Sequence, residues 1–331
     1  MKQAHILLEE NLGIKYALMP GDPGRIRRIA EHLKDVQQLE NNREFLSIRG
    51  SYRGVDILAI STGIGGCSAG IAVEELKNIG IKAMIRIGSC GALQKDIGLG
   101  ELIVASGAVR DDGASKAYVP DIFPACADRE LLNCCVQAAE ALGAVWHEGI
   151  VHSHESFYHD ENDAQSAYWS SKGVLGADME TAAIYTIGRL RGLRAASILN
   201  NVVLYGQDTA DSIGDYAQGA QLAAQGETSE ILTALEAFVL FDRKENLKLA
   251  SKVVHGGEGI DPATGSISFP IYQTATFKHS GIEIRDPYNY SRCINPTREE
   301  LEKTMAILEE GTRAFAVNSG MAAITLVFSL L

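Results

Sequence analysis

Residues 83–94 read AMIRIGSCGALQ, and this stretch indicates the fold. Residues 83–87 are apolar apart from Arg86, which is typical of a strand buried on both faces of a sheet. A guanidinium inside such a strand is costly unless an anion meets it. The stretch therefore predicts a central strand of an α/β sheet, followed by a glycine turn at residues 88–91 and an anion site beside it.

The same alternation of β-rich runs and amphipathic runs extends outward from about residue 14 to about residue 240. This alternation favours the α/β class, with a central mixed sheet flanked by helices. Further strands are predicted at residues 15–19, 55–61, 101–109 and 195–204. Helices are predicted at residues 22–33, 71–80, 178–192 and 219–241.

The composition changes near residue 243, where a Ser/Thr-rich and turn-rich stretch begins. We therefore expect one domain over residues 1–242 and a small, incomplete C-terminal segment over residues 243–331. Long apolar runs are scarce in that segment until residues 313–331. Such a short segment cannot close a sizeable core by itself.

Composition limits the function classes. The chain has 331 residues, of which 46% are hydrophobic and 22% charged, and its formal net charge is −12. An acidic chain is a poor partner for nucleic acid or an anionic membrane, since both are bound by clustered Lys and Arg. The N-terminal residues lack a signal-peptide pattern, and no run of about twenty apolar residues is present, so we expect a cytoplasmic protein. The six cysteines form no CxxC pairs, which favours reduced thiols.

Three glycine-containing stretches place anion-binding groups at the ends of predicted strands: MPGDPGR at residues 19–25, STGIGG at residues 61–66 and RIGSCG at residues 86–91. Backbone amides at a helix N-terminus, a hydroxyl and a guanidinium are the donors that an oxyanion requires. A single glycine turn is often no more than a tight connection, but an arginine before the turn argues for a ligand. No GK[ST] follows the glycines and no acidic ribose clamp is present, so free phosphate or a substrate group is a better candidate than a nucleoside triphosphate.

These stretches also carry a resemblance to a known family. MPGDPGR, REF, STGIGGCSAGIAVEEL, RIGSCGALQ, VRDDGAS, FPACAD, SFY and ADMETAAIY occur in the order, and nearly at the spacing, of the hexameric nucleoside phosphorylases. Residues 5–240, approximately, resemble this family, and the uridine phosphorylase branch most closely. The resemblance implies a pentosyltransferase in which inorganic phosphate cleaves a uridine-like nucleoside to the free base and a pentose 1-phosphate.

The resemblance also implies roles for individual residues. Phosphate would be bound by Gly21, Arg25, Arg86 and Ser89, together with Arg43 from a neighbouring subunit. The nucleoside would contact His5 across the same interface, Phe157, Met179 and Glu180. Arg86 and Glu180 would be the catalytic residues. The family further implies a dimer-based homo-oligomer, commonly a hexamer, with phosphate as co-substrate and no cofactor or metal.

The base-reading positions depart from both branches of the family. Uridine phosphorylases carry a Gln and an Arg where this chain has Glu161 and Asp163, and two acids cannot make the same contacts. Purine enzymes carry an Asp after the late strand, where this chain has Val202 and Val203, while Asp208 lies further along in a predicted loop. A purine nucleoside or methylthioadenosine-type phosphorylase or nucleosidase therefore stays open as an alternative. So does a non-catalytic binding or scaffold protein.

A histidine-rich stretch and one cysteine invite other interpretations. HSHESFYH contains His152, His154, Glu155 and His159, and alternation along a strand would place the first two on one face. The sequence shows no residue that would hold a metal-binding histidine in place, and the family requires no metal, so we expect no metal site here. Cys90 is expected to form a small part of the site wall, because no histidine is positioned to activate it.

The C-terminal segment resembles a second family. KVVHGGEGIDPATGSISFPIYQTATF, YNYSRCINPTREELE and AFAVNSGMAAI are similar to the N-terminal part of the pyridoxal phosphate enzymes cystathionine γ-synthase and O-acetylhomoserine sulfhydrylase. That resemblance implies that Tyr290 and Arg292 reach a neighbour's pyridoxal phosphate, and that Gly320 and Met321 hold the cofactor phosphate through backbone amides. The Schiff-base lysine would lie beyond Leu331, so we expect no pyridoxal chemistry from this segment.

Overall fold

A computed structural model describes residues 2–10, 12–207, 219–246, 253, 264–266, 269–278, 287–309 and 311–329. The chain divides into two compact units, Met1–Lys244 and Glu245–Leu331. The division lies two residues beyond the end predicted for the first domain.

The first unit contains ten strands and seven helices among its described residues. The strands are β1 Tyr16–Pro20, β2 Lys34–Asn42, β3 Phe45–Tyr52, β4 Val55–Ile60, β5 Ala83–Ala92, β6 Leu102–Asp111, β7 Ala125–Cys126, β8 Trp146–His154, β9 Gly176–Asp178 and β10 Arg194–Val203. The helices are α1 Pro23–Ala30, α2 Gly66–Asn78, α3 Gly113–Tyr118, α4 Arg129–Leu142, α5 Asn162–Ser170, α6 Thr181–Leu190 and α7 Gly219–Glu245, the last of which ends one residue into the second unit.

All ten strands belong to one mixed sheet, which confirms the expected fold class. The strand order is β10–β6–β8–β9–β5–β1–β4–β3–β2, and β7 pairs with β6. Because β10 also pairs with β5, the strands β5, β10, β6, β8 and β9 form a closed ring. Strands β1, β5 and β10 run parallel to one another, so their carboxyl ends lie at the same edge. Ligand sites of α/β proteins form at such an edge.

Strand β5 continues through the residues predicted as a glycine turn, which corrects that prediction. Residues 88–91 remain in the ladder because β10 and β9 pair with them on either side. Ser89 pairs with Asn200 of β10, and Gly91 pairs with Ala177 of β9. The glycines here therefore allow close side-chain approach within a strand and do not reverse the chain.

Helix α7 lies unusually close to the sheet at Gly226. A Cβ at this position would come within 2.6 Å of the Gly100 Cα and 2.1 Å of the Asn200 Oδ1. Asn200 Nδ2 also donates to the Ala223 carbonyl at 2.8 Å. Further along α7, Phe238 is fully buried and its ring stacks on Tyr16 of β1. The contacts at Gly226 and Asn200 hold the N-terminal half of α7 against the sheet, and Phe238 holds its C-terminal half against the start of β1.

No helix in the described residues is long and apolar enough to cross a membrane. The cytoplasmic location expected from the sequence stays a prediction.

The second unit contains two described helices, α8 Pro296–Leu308 and α9 Gly320–Phe328. Asn295 caps α8 by accepting a hydrogen bond from the Thr297 amide, and Ser319 caps α9 by accepting one from the Ala322 amide. Side-chain oxygens at this position satisfy amides that have no partner within the helix.

Candidate active site

A cavity of about 1310 Å³ lies at the carboxyl ends of β1, β5 and β10. Most of the residues predicted to bind phosphate or nucleoside line it: Gly21, Arg25, Arg86, Ser89, Phe157, Met179 and Glu180. Two predicted residues, His5 and Arg43, do not line the cavity.

The Arg86 guanidinium is paired with two carboxylates. Its Nε donates to Asp178 Oδ2 at 3.0 Å, and its Nη2 lies 2.5 Å from Glu180 Oε2. Arg86 is 3% exposed, and its side chain folds back over Gly88, where a Cβ would come within 2.6 Å of Nη2. Nη1 has no hydrogen-bond partner within the described part of the chain. The buried cation is therefore compensated inside the protein and keeps one nitrogen for a ligand.

Asp178 is fixed by further hydrogen bonds. Ser153 Oγ donates to Oδ1 at 2.5 Å, while the Thr181 amide and hydroxyl donate to Oδ2 at 3.0 and 2.6 Å. Burial alone would raise the pKa of this carboxyl, but Arg86 and these donors outweigh burial and lower it. Burial likewise works against the charge of Arg86, yet Glu180 and Asp178 raise the pKa of the guanidinium. Both groups therefore stay charged at neutral pH.

Glu180 occupies the cap position before α6 and is 5% exposed. Its Oε1 accepts a hydrogen bond from the Gly65 amide at 2.5 Å, while its Oε2 faces Arg86. Gly65 has φ of 95°, a backbone conformation that favours glycine, and it is the cap residue before helix α2. Two separate elements thus hold the carboxylate at the cavity wall.

Arg25, which lines the same cavity, is arranged in a similar way. It projects from α1, and its Nη2 donates to Ser89 Oγ at 3.3 Å. Its Nε lies 3.1 Å from Glu227 Oε2, and its Nη1 lies 3.0 Å from Glu230 Oε1. Both acids belong to α7 and were not predicted as site residues. A signal was present, because Glu230 stands on the helix face that is otherwise apolar through residues 231–241.

Glu230 is completely buried. Burial raises the pKa of its carboxyl to about 8, and the nearby Glu227 acts in the same direction, while Arg25 and Arg86 oppose the shift. The Gly88 amide also faces it, but within the described residues neither Glu230 oxygen accepts a hydrogen bond of normal geometry. A carboxyl in this setting carries a proton over much of the neutral pH range.

The two predicted residues outside the cavity lie on other parts of the first unit. Arg43 is exposed in the turn between β2 and β3, with φ of 55°. The Nδ1 of His5 lies 2.6 Å from Glu75 Oε1, and the Glu75 carboxylate also accepts the amides of His5 and Ile6. Their expected action across a subunit interface stays a prediction.

The half of the cavity expected to hold the base is lined by aromatic and polar side chains. Phe157, Asp163 and Gln165 line it, whereas Glu161 is at the N-terminus of α5 and does not. Asp208 lies outside the described residues.

His152 also lines this half of the cavity. Its ring lies 5.2 Å from that of Trp169, and its Nε2 is 3.1 Å from Asp111 Oδ2. Burial lowers the pKa of His152, so the ring is neutral at neutral pH. The described residues contain no group of three or more His, Cys, Asp or Glu suited to hold a metal. Cys90 lines the cavity as expected, and burial raises the pKa of its thiol.

In the second unit the residues predicted to meet pyridoxal phosphate lie in two places. The Arg292 guanidinium lies 5.3 Å from the centre of the Tyr290 ring. Gly320 and Met321 form the first turn of α9, where backbone amides could meet a phosphate group. The expectation that this segment carries out no pyridoxal chemistry stays a prediction.

Comparison with known families assigns the class. Residues 15–232 match the model of the phosphorylase superfamily, and the chain therefore belongs to that superfamily. Residues 250–331 match the model of the Cys/Met metabolism PLP-dependent enzymes, in agreement with the second resemblance seen in the sequence.

Individual relatives narrow the class. The chain is 40% identical over 223 residues to a guanosine phosphorylase of Halorubrum lacusprofundi, covering 66% of this chain and 92% of that protein. It is 37% identical over 214 residues to the uridine phosphorylase of Escherichia coli, covering 60% of this chain and 85% of that protein. The crystal structure of uridine phosphorylase from Vibrio fischeri superposes with a TM-score of 0.68 at 47% identity, covering 72% of this chain and 98% of that one. These relatives confirm the expected class of enzyme, a nucleoside phosphorylase.

Proposed function

We propose that this enzyme uses inorganic phosphate to cleave the N-glycosidic bond of a uridine-like nucleoside. A phosphate oxygen forms a bond to the anomeric carbon as the carbon–nitrogen bond breaks. The electron pair of the broken bond leaves with the base. The proton of HPO₄²⁻ balances the proton that the released base gains. The products are the free base and a pentose 1-phosphate.

One observation carries this proposal: the arrangement of Arg25 and Arg86 in the cavity that Ser89 also lines. Each guanidinium gives two of its nitrogens to a pair of carboxylates and keeps one nitrogen apart from them. The remaining nitrogen of Arg25 meets Ser89, and the remaining nitrogen of Arg86 has no partner in the described chain. Fixed cations with free donors and an adjacent hydroxyl suit a phosphate dianion, because they are oriented before it arrives.

The sugar is assigned to the wall formed by Glu180. Its carboxylate accepts hydrogen bonds, so it suits the hydroxyl groups of a pentose. Cleavage passes through a state with positive charge on the anomeric carbon, as in other glycosidic reactions. A phosphate anion held next to that carbon stabilises the charge and also supplies the nucleophile.

A second candidate substrate is a guanine nucleoside. Asp163, a carboxylate, lines the base half of the cavity. A carboxylate accepts two hydrogen bonds side by side, and guanine offers two adjacent N–H donors, whereas uracil offers one N–H between two carbonyl acceptors. One relative in the comparison is a guanosine phosphorylase.

The site is proposed to be completed by a second copy of the chain. Arg43 would add a third cation to the phosphate-binding residues, and His5 would contact the 5′ end of the sugar. A homo-oligomer built from dimers supplies both residues. Phosphate is the co-substrate, and no further cofactor takes part in this proposal.

The test is base release from a panel of nucleosides, measured by chromatography with and without phosphate. Uridine, thymidine, guanosine, inosine, adenosine and methylthioadenosine cover the candidates. We expect release from uridine or guanosine that depends on phosphate. Equal release without phosphate would indicate a nucleosidase, and no release from any member would favour a binding or scaffold protein.

A further inference from the structure

We propose that Glu230 sets the phosphate affinity of this enzyme: its neutral carboxyl coexists with bound phosphate, and its ionised form competes with phosphate for Arg25. The inference rests on the proposed phosphate site and assigns to that site a residue that the sequence did not indicate.

The geometry places Glu230 within the phosphate-binding group. Its Oε1 lies 3.0 Å from Arg25 Nη1, on the same guanidinium whose Nη2 meets Ser89 and is proposed to meet phosphate. The Gly88 amide, next to Ser89, faces the same carboxyl. The side chain is fully buried, so water cannot screen a carboxylate there. In its ionised form Glu230 is thus an internal anion at the place proposed for an external one.

The charge of the cluster argues against two anions at this place. Three arginines, Arg25, Arg28 and Arg86, contribute three positive charges, while four acids contribute four negative charges when all are ionised: Asp178, Glu180, Glu227 and Glu230. A phosphate dianion would add two more in a region that excludes water. Adding a proton to one of the acids removes one negative charge and so lowers the electrostatic repulsion.

Glu230 is the acid best placed to take that proton. Asp178 and Glu180 each contact Arg86 and accept further hydrogen bonds from well-placed donors, whereas neither oxygen of Glu230 accepts one of normal geometry from the described residues. Glu227 is partly exposed and contacts Arg28 as well as Arg25.

The titratable groups that face Glu230 come from three elements. Arg25 of α1 and Arg86 of β5 favour the carboxylate, Glu227 of its own helix opposes it, and Cys90 of β5 stays a neutral thiol. Burial outweighs the two arginines and raises the pKa of Glu230 to about 8. Phosphate affinity should therefore fall by about tenfold between about pH 7 and about pH 9, beyond any change due to phosphate itself.

The test is direct binding of inorganic phosphate to the full chain by isothermal titration calorimetry at about pH 7 and about pH 9. The variants are Glu230→Gln, which keeps the shape but cannot ionise, and Glu230→Met, a second uncharged side chain of similar length in case the first folds poorly. Glu236→Gln is the matched control, because Glu236 is on the same helix but contacts Tyr52 and Arg53 away from the cavity. Each variant is compared with the unaltered protein at the same pH. Because phosphate is ionised to the same extent in both measurements, its ionisation does not affect the comparison.

We expect Glu230→Gln to bind phosphate about as tightly as the unaltered protein at the lower pH and about tenfold more tightly at the higher pH. Glu236→Gln should match the unaltered protein at both. If the ratio of the phosphate affinity of Glu230→Gln to that of the unaltered protein did not change with pH, this result would overturn the inference. So would a loss of affinity in Glu230→Gln at both pH values, which would mean that the carboxylate orients Arg25 for phosphate. If the unaltered protein binds no phosphate at the lower pH, the proposed function fails together with the inference.

Discussion

Asp178 Oδ2 lies 3.0 Å from Arg86 Nε in a contact from which water is excluded, and this pair joins strand β5 to the end of strand β9, just before helix α6. Replacing Asp178 with Asn removes the charge and leaves a buried guanidinium with one carboxylate. Breaking a buried ion pair on one side costs about 3 to 5 kcal/mol. We expect a loss of that size in the free energy of unfolding, measured with urea and the fluorescence of Trp146 and Trp169, which both lie in the first unit.

The matched control for that measurement is Asp128→Asn. Asp128 caps helix α4 by accepting a hydrogen bond from the Leu131 amide, and Asn is an equally good cap. The control should therefore stay close to the unaltered protein. A loss of stability no larger in Asp178→Asn than in this control would contradict the role given to the ion pair.

The same contact predicts how stability responds to acid. The pKa of Asp178 is lower in the folded protein than its usual value, so its contribution is present above about pH 4 and is lost as the pH falls through the folded pKa. Asp178→Asn should lack this part of the acid dependence. Urea unfolding at a series of acid pH values tests it, and parallel curves for the two proteins would show that the pair does not titrate as described.

Glu230 predicts that the stability of the protein falls as the pH rises, the opposite of the effect of Asp178. Its pKa is raised by burial to about 8, so the stability that its neutral form contributes is full below about pH 4.5 and is lost as the pH rises toward 8. Glu230→Gln should therefore gain stability over the unaltered protein as the pH rises from 5 to 8, by roughly 1.4 kcal/mol for each unit of pH. Thermal or urea unfolding without phosphate checks this, and a constant difference between the two proteins would be evidence against the shifted pKa.

Ser89 offers a test of the phosphate site with little effect on the fold. Its hydroxyl meets Arg25 Nη2 at 3.3 Å and lines the cavity, whereas Arg86→Ala would also leave two buried carboxylates without their cation. Loss of one hydrogen bond to a charged ligand costs about 1.5 to 3 kcal/mol. Ser89→Ala should therefore raise KM for phosphate by about tenfold or more and leave KM for the nucleoside nearly unchanged. Ser171→Ala, in an exposed turn, is the control. Equal KM values for phosphate in the two variants would show that Ser89 does not bind phosphate.

The α/β class and most of the residues that line the cavity could be predicted because their signals are local. A buried strand interrupted by Arg86, and a proline turn followed by Arg25, each place one chemical group at one strand end. The structure places both in the wall of one cavity, at the shared carboxyl edge of the parallel strands β1, β5 and β10.

The parts that could not be predicted depend on contacts between distant residues. The continuation of β5 through residue 91 is due to pairing with β9 and β10, which local glycine preference cannot indicate. The pairing of Arg25 with Glu227 and Glu230 joins residues some two hundred positions apart, and it depends on the close approach of α7 at Gly226. Tertiary packing of this kind overrides local preference.

His5 allows the proposed sugar contact to be tested by substrate choice. Its Nδ1 faces Glu75, so the opposite ring nitrogen, Nε2, is the atom proposed to meet the 5′-hydroxyl of a neighbour's substrate. His5→Ala should lower kcat/KM for the ribonucleoside by about tenfold, the loss of about one hydrogen bond. The matched 5′-deoxynucleoside, which lacks that hydroxyl, should be unaffected by the substitution. An equal loss with both substrates would place His5 in a structural role.

The most direct test of the central claim is the origin of the oxygen that replaces the base. The reaction is run with nucleoside and phosphate in water enriched in oxygen-18, and the sugar product is analysed by mass spectrometry and phosphorus NMR. Attack by phosphate held between Arg25 and Arg86 predicts a pentose 1-phosphate with no oxygen from water on its anomeric carbon. A free pentose labelled at that carbon would contradict the account.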